Sequence, residues 1–393
     1  MNFLPAIRGR SLAWWFPVRN NLESLSQLQV VLKLFGVMIY TVVDRVSCRI
    51  EITLGDWLLL AIFTTLRVYG TVDGLVNDRW QPLVESDLQA VMYGMGFTIF
   101  FMIVLLTVLP FYLMLLHRRF EVLLQLLNEF DEEFNRLGYP RDHRYHHFRT
   151  TGYVLLCLTA LAIIFAITFM LRDRNFLWEA LLFLSTFNAT CFAYTLQHAG
   201  LNMMIFATHS RMELMNRYIR EMLGPEGGNG RQKEDLVMQL ARLYDKLCDV
   251  TEIINVVLCA PLFFNFINTF FLHVTSCYAC MRILLNRATP SETSNSLLYL
   301  SWSGYFNIFV FQTVTFATRL RQQTSTFVGA VHRHLNQPHN RRIITRLQQL
   351  SEQIDNRAPS VTFFLFELHP SLIIQAGGEL ATYMLILIQF EMQ

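Results

Sequence analysis

Seven stretches of this sequence stay apolar for 20 residues or more: 57–76, 88–116, 151–171, 176–209, 253–284, 297–318 and 370–390. The hydrocarbon layer of a bilayer is roughly 30 Å thick and takes about 20 apolar residues of helix to cross. A soluble chain of this length would have to hide its apolar side chains in two or three cores. Here 53% of the 393 residues are hydrophobic, only 16% are charged, and 33 are Phe, which is the composition of a bilayer protein. The expected fold is an all-α membrane protein with seven transmembrane helices. Several runs exceed one bilayer thickness, so they must tilt or project into water.

The net charge of +2 carries little information, whereas charge placement orients the chain. With a cytoplasmic amino terminus, the inside segments 1–51, 117–149, 210–250 and 319–369 hold 26 of the 32 Lys and Arg. The outer side holds five, and Arg67 lies within the first span. The positive-inside rule therefore places the amino terminus in and the carboxyl terminus out. A metabotropic seven-helix receptor has the opposite orientation and is disfavoured. Residues 1–21 contain Pro5, Arg8, Arg10, Pro17 and Arg19 and no continuous apolar stretch before a cleavage site. The first membrane helix is thus expected to act as its own targeting signal. The seven Cys fall mostly in or beside apolar runs, where a thiol behaves as a small hydrophobe, and no disulfide framework is expected.

The inside segments carry helical patterns of their own. Phe120, Leu123, Leu124, Leu126, Leu127, Phe130 and Phe134 recur at helical spacing. So do Leu236, Leu240, Leu243, Tyr244 and Leu247, and again Ile343, Ile344, Leu347, Leu350 and Ile354. Apolar stripes in water need partners, which predicts a cytoplasmic helical anchor layer. Residues 25–43, interrupted by Gln27, Gln29 and Lys33 and flanked by Arg19, Arg45 and Arg49, read as a helix on the cytoplasmic surface. Gly224 to Gly230 reads as a mobile loop.

The last span ends Thr382-Tyr383-Met384-Leu385-Ile386-Leu387-Ile388-Gln389-Phe390, with three residues beyond it. Thr-Tyr, five apolar residues and Gln-Phe at the carboxyl terminus resembles the signature of the insect gustatory receptor family. The topology resemblance covers the whole chain, the sequence resemblance mainly the last 50 residues. Sugar-sensing members often carry Glu after Thr-Tyr, where this chain has Met384. The resemblance therefore implies the non-sugar branch and a bitter-type receptor. It also implies one subunit of a homo- or hetero-tetrameric, ligand-gated, non-selective cation channel in the plasma membrane of sensory neurons, opened by a small extracellular tastant. The expected organisation is a cytoplasmic amino-terminal segment (1–52), a six-helix ligand-binding bundle (53–318), a cytoplasmic anchor segment (319–369) and a pore-lining seventh helix (370–393).

The last helix can also be read from its residues alone. At about 100° per residue, Gln375, Gly378, Thr382, Leu385 and Gln393 fall within about 40° of Gln389. A polar stripe on a membrane helix faces protein or water. It is either a hydrogen-bonded seam or a pore wall, and the resemblance favours the wall, with Gln389 and Phe390 at the gate beside Leu385, Thr382 and Gly378. For the tastant, the outer halves of the spans offer Trp178, Asn188, Asn268, His273, Trp302 and Tyr305. Aromatic walls with a few polar groups suit a small organic molecule, yet Trp and Tyr also enrich at any membrane interface, and Asn joins helices. Arg67 is likewise either a snorkelling or paired side chain or a ligand contact.

No enzyme is expected. There is no P-loop, no Ser-His-Asp arrangement on one face and no nucleic-acid module. Cys277-x-x-Cys280 lacks a second ligand pair for zinc, so no metal or cofactor is expected. A secondary transporter is the alternative reading, weakened by the lack of an internal repeat.

Overall fold

The computed structural model describes residues 18, 20–34, 36, 37, 40–44, 47–76, 89–171, 177–223, 230–285, 289–337, 340–364 and 366–392. In chain order these form α1 (Asn21–Ser24), α2 (Ser26–Leu34), β1 (Thr41–Asp44), β2 (Arg49–Glu51), α3 (Leu54–Val76) and α4 (Gln89–Leu115). Next come α5 (His117–Arg136), α6 (His143–Leu171), α7 (Leu177–Met222), α8 (Gly230–Leu284) and α9 (Pro290–Leu335). The chain closes with α10 (Arg341–Asn356), β3 (Thr362–Phe363), β4 (Phe366–Glu367) and α11 (Pro370–Met392). The strands make two antiparallel hairpins, the only departures from an all-helical chain among the described residues.

Among the described residues, Gly96–Leu115 in α4, His143–Thr168 in α6 and Pro370–Gln389 in α11 are each long and apolar enough to cross a bilayer. The two halves of α8, Lys233–Val257 and Ala260–Leu284, make a fourth such stretch if taken as one bent span. α3, α7 and α9 complete a set of seven long helices. The apolar part of α3, Leu54–Leu66, is shorter, and α7 and α9 break their apolar faces with Gln197, His198, Asn202 and Asn307.

α7, α8 and α9 have 46, 55 and 46 residues. At 1.5 Å per residue that is about 70–80 Å, more than twice the hydrocarbon thickness. The surplus lies on the basic side, where the expected spans and amphipathic segments merge into single helices. α5 buries Phe120, Leu123, Leu124, Leu127, Phe130 and Phe134 and packs against α8, whose Leu236, Leu240, Leu243, Tyr244 and Leu247 are buried too. α10 lays Ile343, Leu347, Leu350 and Ile354 onto α8 and α9. Lys246 of α8 reaches Glu129 at 2.9 Å and Glu133 at 2.7 Å on α5, and Tyr244 stacks on Phe327 of α9 with centroids 5.5 Å apart.

α9 starts at Pro290, seven residues before the apolar run. Thr289 caps it by accepting from the Glu292 amide, and the Glu292 side chain accepts from the Thr289 amide in return. This reciprocal box satisfies two amides a bare helix end would leave open. Glu292 also takes Arg282 of α8 at 2.7 Å, tying the two helix ends together.

The amino-terminal helix corrects an expectation. It ends at Leu34, not Val43, because Gly36 turns the chain in the left-handed region (φ +62) and a hairpin follows. Its apolar side meets protein instead of lipid: Leu22, Leu25, Leu28 and Leu32 are buried, and α2 packs on α6 and α7. A buried polar knot pins it there. Arg211 of α7, fully buried, donates to Asp131 of α5 at 2.6 Å and to Asn21 of α1 at 2.7 Å. Arg141 lies 3.4 Å from the same carboxylate. Burial alone would raise the Asp131 carboxyl, but Arg211, then Arg141 and His143, and the Asn21 amide hold it below its ordinary value. Residues 224–229 of the expected loop lie outside the described residues.

Candidate ligand site and pore helix

α7, α8 and α9 meet in the bundle along faces that mix rings with small polar groups. Tyr194 of α7 is fully buried, and its hydroxyl lies 3.0 Å from Thr269 Oγ1 and 3.4 Å from the Asn265 carbonyl of α8. Its ring sits 4.6 Å from Phe306 of α9 and 4.7 Å from His198. Thr195 shares a hydrogen bond with Tyr305 at 2.6 Å. Trp302 donates its indole N–H to Thr168 of α6 at 3.2 Å and packs against Phe165, Tyr305 and Phe306. Further along α8, His273 Nδ1 lies 2.7 Å from Ser303 Oγ and 3.1 Å from Asn307 Nδ2.

Hydrogen bonding leaves this region incomplete. Asn268, His198 and Asn265 are each about 1% exposed. Both amide atoms of Asn268, both ring nitrogens of His198 and Oδ1 of Asn265 have no partner among the described residues. Leaving a buried polar atom unpaired costs about 1–3 kcal/mol. These orphans are hydrogen-bonding capacity that the described residues leave unmet between the aromatic walls.

The expected ligand residues thus divide. Trp302 and Tyr305 lie in one buried aromatic cluster, already hydrogen-bonded to the chain itself; His273 pairs across to α9; Asn268 is buried and unpaired. The side chains of Trp178 and Asn188, and that of Arg67, lie outside the described residues. Sequence reasoning did not single out Tyr194, Thr195 and His198, which lie further along the fourth span than Trp178 and Asn188. A His and a Gln amid an apolar run are a legible signal, since polar groups inside a membrane helix need a reason.

Among the described residues, α11 packs mainly against α8 and α9. Its packed residues include Ile373, Met384 and Leu387, which at about 100° per residue lie opposite Gln389. Gln375, Gly378, Thr382, Leu385 and Gln389 are all exposed. The polar stripe therefore faces away from the chain's own bundle, and no seam among the described residues covers it. Thr382 donates back to the Gly378 carbonyl at 3.1 Å. Tyr383, the second residue of the motif, lies against Phe270 of α8. The Phe390 side chain lies outside the described residues.

The family described as 7tm Chemosensory receptor matches residues 28–393, nearly the whole chain. The chain belongs to that family. It is a multi-pass membrane protein of a chemosensory receptor family, and not an enzyme. Solved structures agree on the fold. The insect olfactory receptor OR5 from Machilis hrabei superposes with a TM-score of 0.69 at 12% identity, over 93% of this chain and 97% of that one. The same receptor in complex with eugenol gives 0.64 at 12% identity, with the same coverage. The seven long helices are thus the seven transmembrane helices of this receptor fold. No curated protein matches the sequence.

Proposed function

We propose that this chemosensory receptor is a gustatory receptor of the non-sugar branch, working as one of four subunits around a ligand-gated, non-selective cation pore. The subunits are homo- or hetero-tetrameric, and the receptor sits in the plasma membrane of sensory neurons. The observation that carries this reading is the stripe on α11: polar groups costly against lipid point away from the bundle formed by the described residues. A symmetric ring of copies gives such a stripe water to face. Residues 370–393 then line the pore, with Leu385, Thr382 and Gly378 along the wall and Gln389 and Phe390 at the constriction. Residues 1–52 and 319–369 anchor the assembly on the cytoplasmic side, and 53–318 hold the tastant.

The ligand is a small extracellular molecule, bitter-type by the Met384 departure from the sugar pattern. Asn268, His198 and Asn265 are its polar contacts, and the ring cluster around Tyr194, Trp302 and Tyr305 supports the walls. Trp178, Asn188 and His273 remain candidates for the outer rim. OR5 with eugenol bound lends support, as a receptor of the same fold that accepts a small organic compound. Expression of the chain alone and beside related receptor subunits, with whole-cell recording against panels of bitter compounds and sugars, tests the reading. An inward cation current evoked by bitter compounds and not by sugars is expected. Proton-coupled flux without unitary conductance would replace the channel with a transporter.

A further inference from the structure

A cavity lies nearer the basic end of the bundle, between α2, α4, α5, α7 and α8. Its volume is about 50 Å³, and it opens in part to the surface. None of its lining residues is charged and most are aliphatic or aromatic, so an ion placed there would be strongly disfavoured. Three polar side chains line it, Gln29, Tyr40 and Gln197. The hydroxyl of Tyr40, both amide atoms of Gln197 and Nε2 of Gln29 are buried without a hydrogen-bond partner among the described residues. Tyr40 and Gln197 are 8% and 7% exposed. Four orphaned polar atoms around one narrow apolar space would be an expensive way to build a plain core.

Two further features bear on what fills it. A more open groove along α2, lined by Glu23, Ser26 and Lys33, shares Gln29 and Tyr40 with the cavity, so these two side chains stand between the groove and the interior. On the far side, Val257 and Pro261 line the cavity where α8 bends by 54° between its two halves. Proline removes a helical hydrogen bond and accounts for a bend there.

We propose that this cavity is a second small-molecule site, separate from the Tyr194 cluster, for a neutral molecule with an apolar body and one or two hydrogen-bonding groups. The body lies among the aliphatic side chains, and its polar group pairs with Gln197, Tyr40 and Gln29. Such a molecule can come from water, as a small alcohol, or from the bilayer, as a neutral lipid. Its place against the bend of α8 means that its presence favours one angle between the two halves of that helix. The site rests on binding geometry alone and stands whether or not the chain conducts ions.

Gly200 supplies the means of testing it. A Cβ built there meets only Leu32 Cδ1, at 3.7 Å, so alanine fits, whereas a leucine reaches into the cavity. The full chain in phosphatidylcholine nanodiscs is photolabelled with a hexanol carrying a diazirine, and adducts are mapped by mass spectrometry. Adducts are expected on the peptides holding Tyr40 and Gln197. They should fall about fivefold in Gly200→Leu and in Gln197→Leu, and persist in Gly200→Ala, with the thermal unfolding midpoint confirming that each variant is folded. Competition by excess hexanol points to the aqueous source, and competition by diacylglycerol added to the disc points to the lipid source. Adducts missing from those peptides, or undiminished by both substitutions and both competitors, overturn the proposal.

Discussion

Tyr383 of α11 sets its ring edge-on to Phe270 of α8, with centroids 6.1 Å apart and planes at 73°. One helix carries the exposed polar stripe, and the other carries Asn268, Thr269 and His273 within one turn of Phe270. This ring pair is therefore a direct packing link between the proposed ligand site and the proposed pore. If it transmits gating, Phe270→Ala and Tyr383→Ala should each raise the half-maximal agonist concentration about tenfold, a coupling of ordinary allosteric size. The double variant should be no worse than either single one. Dose-response recording at matched surface expression checks this, and additive effects would place the link elsewhere.

The orphaned amide of Asn268 separates binding from folding. Asn268→Leu removes a buried polar group that has no protein partner among the described residues, so the unfolding midpoint should hold or rise, by up to about 1–3 kcal/mol of stability. The agonist response should weaken about tenfold, equivalent to roughly 1.4 kcal/mol. Loss of stability with unchanged sensitivity would make Asn268 a structural residue.

The knot at the inner end predicts an acid limb. Asp131 ionises more readily in the folded chain than in the unfolded one, so its contribution is complete above the unfolded value of about 4. It fades as pH falls through the lower folded value. The stability difference between the parent chain and Asp131→Asn should be level from neutral pH to about pH 5 and shrink below about pH 4. Asp131→Asn should lower stability at neutral pH by about 3–5 kcal/mol, because it leaves Arg211 buried and uncompensated, and should flatten the acid limb. An unchanged pH profile would remove Asp131 from this role.

The seven-helix count and the amphipathic faces of the basic-side helices were legible in the sequence, because bilayer thickness and helical periodicity act locally. The α11 stripe was legible too, as a pattern. What escaped was set by tertiary contact. The buried face of Leu25, Leu28 and Leu32 follows directly after the Asn21–Arg211–Asp131 knot, whose members lie 80 to 190 residues apart in the chain. Periodicity could show that this face is apolar, not whether lipid or protein covers it. Trp302 looked like a ligand contact from its residue type, yet Thr168 on another helix already takes its N–H.

At the gate, Phe390→Ala should raise resting current without ligand, since an apolar constriction closes a pore by excluding water. Gln389→Ala should change conductance or ion preference more than ligand sensitivity. Patch-clamp recording at matched expression distinguishes these, and Phe390→Ala with resting current and conductance both unchanged would put the gate elsewhere.

Whether the α11 stripe lines the ion path is tested most directly by cysteine substitution at Thr382, Leu385 and Gln389, with Ile373 and Met384 on the packed side as controls. Current evoked by an activating compound is recorded while a charged, membrane-impermeant thiol reagent is applied, against the background of the parent chain with its native cysteines. Rapid block at Thr382, Leu385 and Gln389, with none at Ile373 or Met384, is the expected result. Block at the packed positions alone, or at none of the five, would contradict a pore built on this helix.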